Sequence, residues 1–138
     1  MFEKIINSKS IFSVGLSNSK EVDNDGIVIA TKSSMKKSLD KINYDYALID
    51  SVDLMINKPY FNFNKADSIS VSVAAASIIA KVCRDSMMSN IYDKLYPDYF
   101  FKNNKGYGSN KHIEIMKNIG LCPIHRKTFK PNSELIRK

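Results

Sequence analysis

The sequence predicts an α/β fold. Three observations carry that expectation. Short runs rich in β-branched and aromatic residues occur at 11–16, 45–50 and 60–65. Two longer runs, 27–42 and 71–95, repeat apolar residues three and four apart. The two kinds of run alternate along the chain, as they do when helices pack on a sheet.

Taken in order, residues 2–8 (FEKIINS) read as the end of a helix. Residues 11–16 (IFSVGL), bounded by serines, read as a strand. Over 27–42, Ile27, Ala30, Ser34, Met35, Leu39 and Ile42 form one apolar stripe with lysines between, an amphipathic helix. Residues 45–50 (DYALID) are a short apolar strand closing on an acid, 53–59 a loop punctuated by Pro59, and 60–65 (YFNFNK) a half-buried, alternating strand. The longest element runs over 71–95, where Val71, Ala75, Ile78, Val82, Met88, Ile91 and Leu95 keep helical spacing. Ser68 or Ser70 caps it and Pro97 ends it. Residues 99–110 are a loop containing Gly106 and Gly108, and 110–119 a short helix stopped by Gly120 and Pro123. The remainder is basic and extended. A chain that begins on the tail of a helix is expected to have the element on which that helix packs lying upstream.

At 138 residues, with 43% apolar and 25% charged side chains, the chain is expected to be one small globular domain over 1–138. The apolar stretch Val73 to Val82 is broken by Ser77 and Lys81 and is too short for a bilayer. Residues 1–17 lack the layout of a secretory signal, and two cysteines build no disulfide framework. A reducing, cytoplasmic location is the expectation. Charge is unevenly placed. Residues 1–99 carry 12 basic and 12 acidic side chains, whereas 100–138 carry 9 and 2, so the whole net charge of +7 lies in the last stretch. A one-ended basic segment points to a polyanion, nucleic acid before membrane, or to a solvated basic tail.

Asp50 and Asp67 each close a predicted strand, and adjacent strand ends would bring two carboxylates to one sheet edge. Such a pair suits Mg²⁺ or Mn²⁺, hard cations that take one or two carboxylates plus water and phosphate oxygens. The other reading makes Asp67 a cap residue and Asp50 a turn residue. Ser77, Lys81 and Arg84 share one helical stripe, which faces either a phosphate backbone or, through Lys81 and Asp85, only its own helix. Tyr107, between two glycines and near Lys105 and Lys111, has the makings of a sugar or base contact, or of an exposed turn. Cys122 and His125 have metal-like spacing, but no second such pair exists and zinc is not expected. His125, Arg126, Lys127 and Lys130 read as backbone contacts or structural pairing, Cys83 as a small core residue, and His112 as needing no role.

These motifs together resemble the ribonuclease HII (type 2 ribonuclease H) family. VAAASIIAKVCRD (73–85), YPDYFFKNNKGYGSNKH (96–112) and CPIHRKTF (122–129) match it in order and spacing. YALIDS (46–51) and NKADSIS (64–70) match its third and fourth acidic positions, and EVD (21–23) a further segment. The resemblance implies a ribonuclease H-like fold, a mixed sheet flanked by helices, here lacking the family's opening strands. It implies cleavage of RNA in RNA–DNA hybrids, or at ribonucleotides embedded in DNA, by hydrolysis assisted by Mg²⁺ or Mn²⁺. Asp50 would be a metal ligand, and Asp67 a ligand or a water-orienting carboxylate. Tyr107 would meet the ribose, while Lys81, Arg84, Lys105 and Arg126 would neutralise phosphates or support the site, with 100–138 as the basic substrate-binding segment. The family's first two acids and its Gly-Arg-Gly loop have no counterpart here, Ser51 replaces the usual Gly after the third acid, and Ala66 the usual Gly before the fourth. The chain alone is therefore expected to be weak or inactive. The alternatives are a non-catalytic nucleic-acid-binding remnant, one half of a split enzyme, or a chain that self-associates through an exposed sheet edge.

Overall fold

The computed structural model describes residues 1–136, so the last two residues of the basic segment, Arg137 and Lys138, lie outside it. The chain divides into two compact units. One combines Met1–Ser17 with Asp25–Val82, the other Asn18–Asn24 with the chain from Cys83 onward.

In the first unit, α1 (Phe2–Ile6) matches the expected helix end, and α3 (Ile27–Leu39), which follows α2 (Ser19–Asp25), matches the expected amphipathic helix. Strands β1 (Ala47–Asp50) and β2 (Tyr60–Phe63) pair in parallel, from Ala47 opposite Tyr60 to Asp50 opposite Phe63. Among the described residues these two strands are the sheet. Alternation along β1 buries Ala47 and Ile49 with Leu54, where Met35 and Leu39 of α3 and Tyr44, Val52, Ile56 and Tyr60 pack on them. Burying a side chain such as Ile49 contributes about 1.5–3 kcal/mol. The opposite face is bare, with Leu48 and Phe61 facing each other in register and both exposed.

Residues 11–16 are not a strand. Among the described residues, no neighbouring strand takes their backbone groups. Instead α3 does so, with Lys37 Nζ donating to the Leu16 carbonyl (3.0 Å) and Lys41 Nζ to that of Val14 (2.9 Å), while Ser13 Oγ donates to Ser38 O. The approach is close enough that a Cβ on Gly15 would lie 1.8 Å from the Ser34 carbonyl oxygen. Ile11 is 84% exposed.

Helix α4 (Val71–Met87) begins where Ser70 was expected to cap, its carbonyl accepting from Ala74 N at 2.9 Å. The α-helix is shorter than its apolar pattern. It passes into a π-helical turn, Met88–Tyr92, then α5 (Asp93–Leu95), and Pro97 opens a 3₁₀ turn.

The second unit is built on an aromatic cluster. Tyr99 stacks on Phe101 with centroids 5.6 Å apart, and Met116 and Cys122 complete the buried set. The stretch expected as loop contains a helical turn, α6 (Phe101–Asn104), before α7 (Asn110–Ile119), which Ser109 caps through His112 N. The tail expected to be extended carries α8 (Asn132–Ile136). Helix α2 was not expected. A reciprocal cap holds it: Asn18 Oδ1 accepts from Lys20 N and Glu21 N, and Glu21 Oε2 accepts from Asn18 N. Asp23 then accepts from Lys127 N, Thr128 N and Thr128 Oγ1 at 2.6–3.0 Å. Among the described residues, no helix is long and apolar enough to cross a membrane.

Candidate functional site

The first group of candidate residues sits at the carboxyl end of the parallel pair. Parallel pairing sends both strands out at the same edge. Asp50 is the last residue of β1, opposite Phe63. The chain then turns sharply on both sides. Ser51 (φ 60°) and Lys65 (φ 58°) both occupy the left-handed region, which disfavours any residue with a Cβ. The turn at Lys65 leads into a 3₁₀ turn, Ala66–Ser68. Asp67 therefore lies four residues past the last residue of β2 rather than closing the strand. The Ala66 backbone N–H donates to Asp50 Oδ1 at 3.0 Å, and Ser51 Oγ donates to the same oxygen at 2.9 Å. The carboxylate of Asp50 is thereby locked onto the residue that precedes Asp67. Ala66 itself is fully buried, so the turn has no freedom to drift. Asp50 is half-buried and Asp67 exposed, with Ser68 Oγ 3.5 Å from Asp67 Oδ1.

Asp50, held by the Ala66 amide, and Asp67, the residue after Ala66, carry hard oxygen donors of the kind Mg²⁺ and Mn²⁺ take. The remaining positions would fall to water or phosphate oxygens, because the described residues contain no group of three or more His, Cys, Asp or Glu able to hold a metal. In the same unit, Ser77 and Lys81 lie exposed on α4.

The second group surrounds Tyr107. Arg84, half-buried near the end of α4, lays its guanidinium over the Tyr107 ring, 4.6 Å from the centroid, and bonds Asp85 at 3.0 Å. Tyr107 N donates to Asn104 O at 2.8 Å, and the ring is 49% exposed. Gly106 is favoured by its backbone. Its φ is 73°, whereas a Cβ there would come within 2.9 Å only of the flexible end of Met88, its Cε. One face of a half-exposed tyrosine is thus held against a cation. Lys105, read as a phosphate contact, is turned inward, its ammonium bonded to Ser89 Oγ and the Lys102 carbonyl. Arg126 is exposed, its guanidinium 4.1 Å from the Phe129 ring centroid and its carbonyl accepting from Asn132.

Behind this surface lies a buried chain that the sequence reading missed. Asn104 Nδ2 lies 3.2 Å from His112 Nδ1, His112 Nε2 lies 3.2 Å from His125 Nε2, and His125 Nδ1 is 3.1 Å from Cys122 Sγ. Burial, and then the neighbouring His112, push His125 down to about 4. Burial also lowers His112 and raises the Cys122 thiol. His125 is a structural partner, not a backbone contact. The signal was present in the helical spacing that puts His112 on the same face as buried Met116.

Comparison with known proteins converges on one family. The sequence model of ribonuclease HII matches residues 3–132. Ribonuclease HII of Enterococcus faecalis is 41% identical over 138 residues, covering 99% of this chain and 54% of that protein. That of Listeria innocua is 42% identical, covering 97% and 52%, and that of Acholeplasma laidlawii 40%, covering 100% and 68%. The chain thus spans about half the length of most of the curated relatives it matches. Among solved structures, ribonuclease H2 from Pyrococcus horikoshii aligns with a TM-score of 0.64 at 26% identity, over 99% of this chain and 73% of that one.

Proposed function

The chain belongs to the ribonuclease HII family, and from that premise we propose that it engages RNA–DNA hybrids, or DNA with embedded ribonucleotides, for metal-assisted hydrolysis of the RNA phosphodiester. The observation that carries this reading is the hydrogen bond from Ala66 N to Asp50 Oδ1, which fixes one carboxylate beside the residue bearing the next. Asp50 and Asp67 would hold Mg²⁺ or Mn²⁺. When bound, the ion supplies a lowered water pKa and charge neutralisation at a phosphate. Ala66 N and Ser51 Oγ keep Asp50 Oδ1 aimed, and leave Oδ2 for a ligand.

Tyr107, half-exposed and with Arg84 over its ring, would pack on a sugar or base. Lys81 and Arg126 are exposed cations suited to phosphates. Lys105 acts by closing its loop against Ser89 and Lys102, which steadies Tyr107. Binding is then expected to weaken with salt by roughly 0.7–0.9 log units per decade for each phosphate neutralised. Two carboxylates under-coordinate a catalytic metal, so cleavage by this chain alone is weak or absent.

The test is a labelled RNA–DNA hybrid with and without Mn²⁺, using the intact chain and Asp50→Asn. Mn²⁺ should tighten hybrid binding in the intact chain and not in the variant. Equal Mn²⁺ response in both would remove Asp50 from the metal. Strong cleavage lost on Asp50→Asn would show that two carboxylates suffice. Salt-sensitive binding without any Mn²⁺ effect would favour the non-catalytic reading.

A further inference from the structure

The residue least explained by folding is Phe100. It is 49% exposed, so the core gains little from its ring. Its φ is 52°, a conformation that penalises bulky side chains most. The backbone is held there because its carbonyl accepts from Asn103 N at 3.0 Å and Asn104 N at 3.2 Å. A smaller residue, glycine above all, would suit the fold better. Strain of this kind, fixed by its surroundings, points to a use for the side chain.

The surroundings identify the use. Lys111 Nζ lies 5.6 Å from the centroid of the Phe100 ring and has no carboxylate partner among the described residues. Ring and ammonium line a cleft of about 310 Å³ together with Asn103, Ser109 and Ile115. Asn104 also lines it, but its side chain is bonded to Tyr99 O, His112 and Gly106 N, and the Ser109 hydroxyl accepts from His112 N, which leaves Asn103 and the ammonium as the other polar lining groups. Residues 100–113 contain three lysines and no acid.

We propose that Phe100 and Lys111 form a platform for one unpaired nucleotide flanking the bound hybrid, the base on the ring and its phosphate at the ammonium. This rests on the nucleic-acid reading given above and adds a subsite to it. A flat apolar ring next to an unpaired cation matches the two ends of a nucleotide, and stacking tolerates any base. An acidic peptide would answer the lysine and leave the ring without a flat partner.

The experiment uses the whole chain and a fluorescein-labelled RNA–DNA hybrid with a single-stranded DNA tail. Phe100→Gly removes the ring while relieving the backbone, so the variant folds at least as well. It is expected to bind the tailed hybrid about 5- to 150-fold more weakly, the loss of one stacked base. Phe100→Trp keeps the platform and should bind like the unaltered chain. Because the sequence contains no tryptophan, its fluorescence reports this position alone. Quenching by the tailed hybrid but not by polyglutamate is expected. Equal binding by Phe100→Gly, no quenching by the hybrid, or equal quenching by polyglutamate would each overturn the platform. If the unaltered chain binds hybrid and Phe100→Gly binds as well, the platform alone fails. If the unaltered chain binds no hybrid, the nucleic-acid reading fails and the platform with it.

Discussion

Lowering the pH should destabilise this protein through His125. The hydrogen bonds assign the protons. Asn104 Nδ2 donates, since it also bonds Tyr99 O at 2.7 Å, so His112 Nδ1 accepts and carries its proton on Nε2. That proton fills the 3.2 Å gap to His125 Nε2. A doubly protonated His125 would face N–H groups at both ring nitrogens, that of His112 at Nε2 and the Cys122 backbone N–H, 3.0 Å from Nδ1, in a buried space walled by Tyr99 and Phe101. Burial and this neighbour hold His125 at about 4, against an ordinary 6.5. The folded pKa is depressed, so the unfolded chain binds the proton more readily. The stabilisation is complete above pH 6.5 and is lost as pH falls towards 4. At pH 5 the difference amounts to about 2 kcal/mol, and at the acid limit about 3 kcal/mol, one pKa unit being about 1.36 kcal/mol. Urea unfolding at pH 7.5, 6 and 5 measures it. With a urea slope of about 2 kcal/mol per M, the midpoint should fall by about 1 M between pH 7.5 and 5. His125→Gln will be less stable at pH 7.5 but should show a flatter profile, keeping only the smaller loss due to His112. A midpoint that stays constant in the unaltered chain, or falls as steeply in His125→Gln, would refute the buried neutral pair. Asp23, whose carboxyl is lowered by its bonds to Thr128 and Lys127 against the opposing effect of burial, titrates below this window.

Three other outcomes are expected. Ser51→Gly should be more stable than Ser51→Ala by about 1 kcal/mol, because both lose the hydroxyl and only glycine relieves the positive φ; equal thermal midpoints would deny the turn. Gly106→Ala should cost about 1–2 kcal/mol and weaken hybrid binding through a displaced Tyr107, as read by chemical denaturation and fluorescence anisotropy. Asp23→Asn should cost about 1 kcal/mol and raise proteolytic cleavage within 124–130, since three hydrogen bonds tie that stretch to α2.

Most elements were legible because local signals and burial agree in them. The stripe over 27–42 became α3, and the acid-terminated run at 45–50 became β1. Residues 11–16 misled because β-propensity describes a side-chain set, whereas a strand also needs a neighbour for its backbone. Here lysines from α3 answer the carbonyls. Helix α2 was readable and missed, as Asn18 and Glu21 stand at capping-box spacing. The place of Asp50 at the end of β1 was legible, whereas Asp67 was expected to close a strand and lies in the 3₁₀ turn beyond it, and the inward turn of Lys105 was not legible. A lysine's composition says nothing of which oxygen it will reach, and Ser89 lies sixteen residues away.

The distribution of backbone strain argues that both candidate groups are under a constraint other than stability. Among the described residues, four that are not glycine have positive φ: Ser51, Lys65, Phe100 and Lys105. Ser51 follows Asp50 directly, and Lys65 lies two residues before Asp67. Phe100 and Lys105 bracket the helical turn that leads into Gly106 and Tyr107. Each costs about 1–2 kcal/mol relative to relaxed backbone, a sizeable part of the margin of a small domain. Loops elsewhere in the described residues keep ordinary backbone or place glycine at such turns, as at Gly26 and Gly120. Random tolerance would scatter the strained positions. Their concentration beside the two carboxylates and the tyrosine is what selection for side-chain placement would produce, since a sharp turn after Asp50 and another before Asp67 flank the bond from the Ala66 amide to the Asp50 carboxylate.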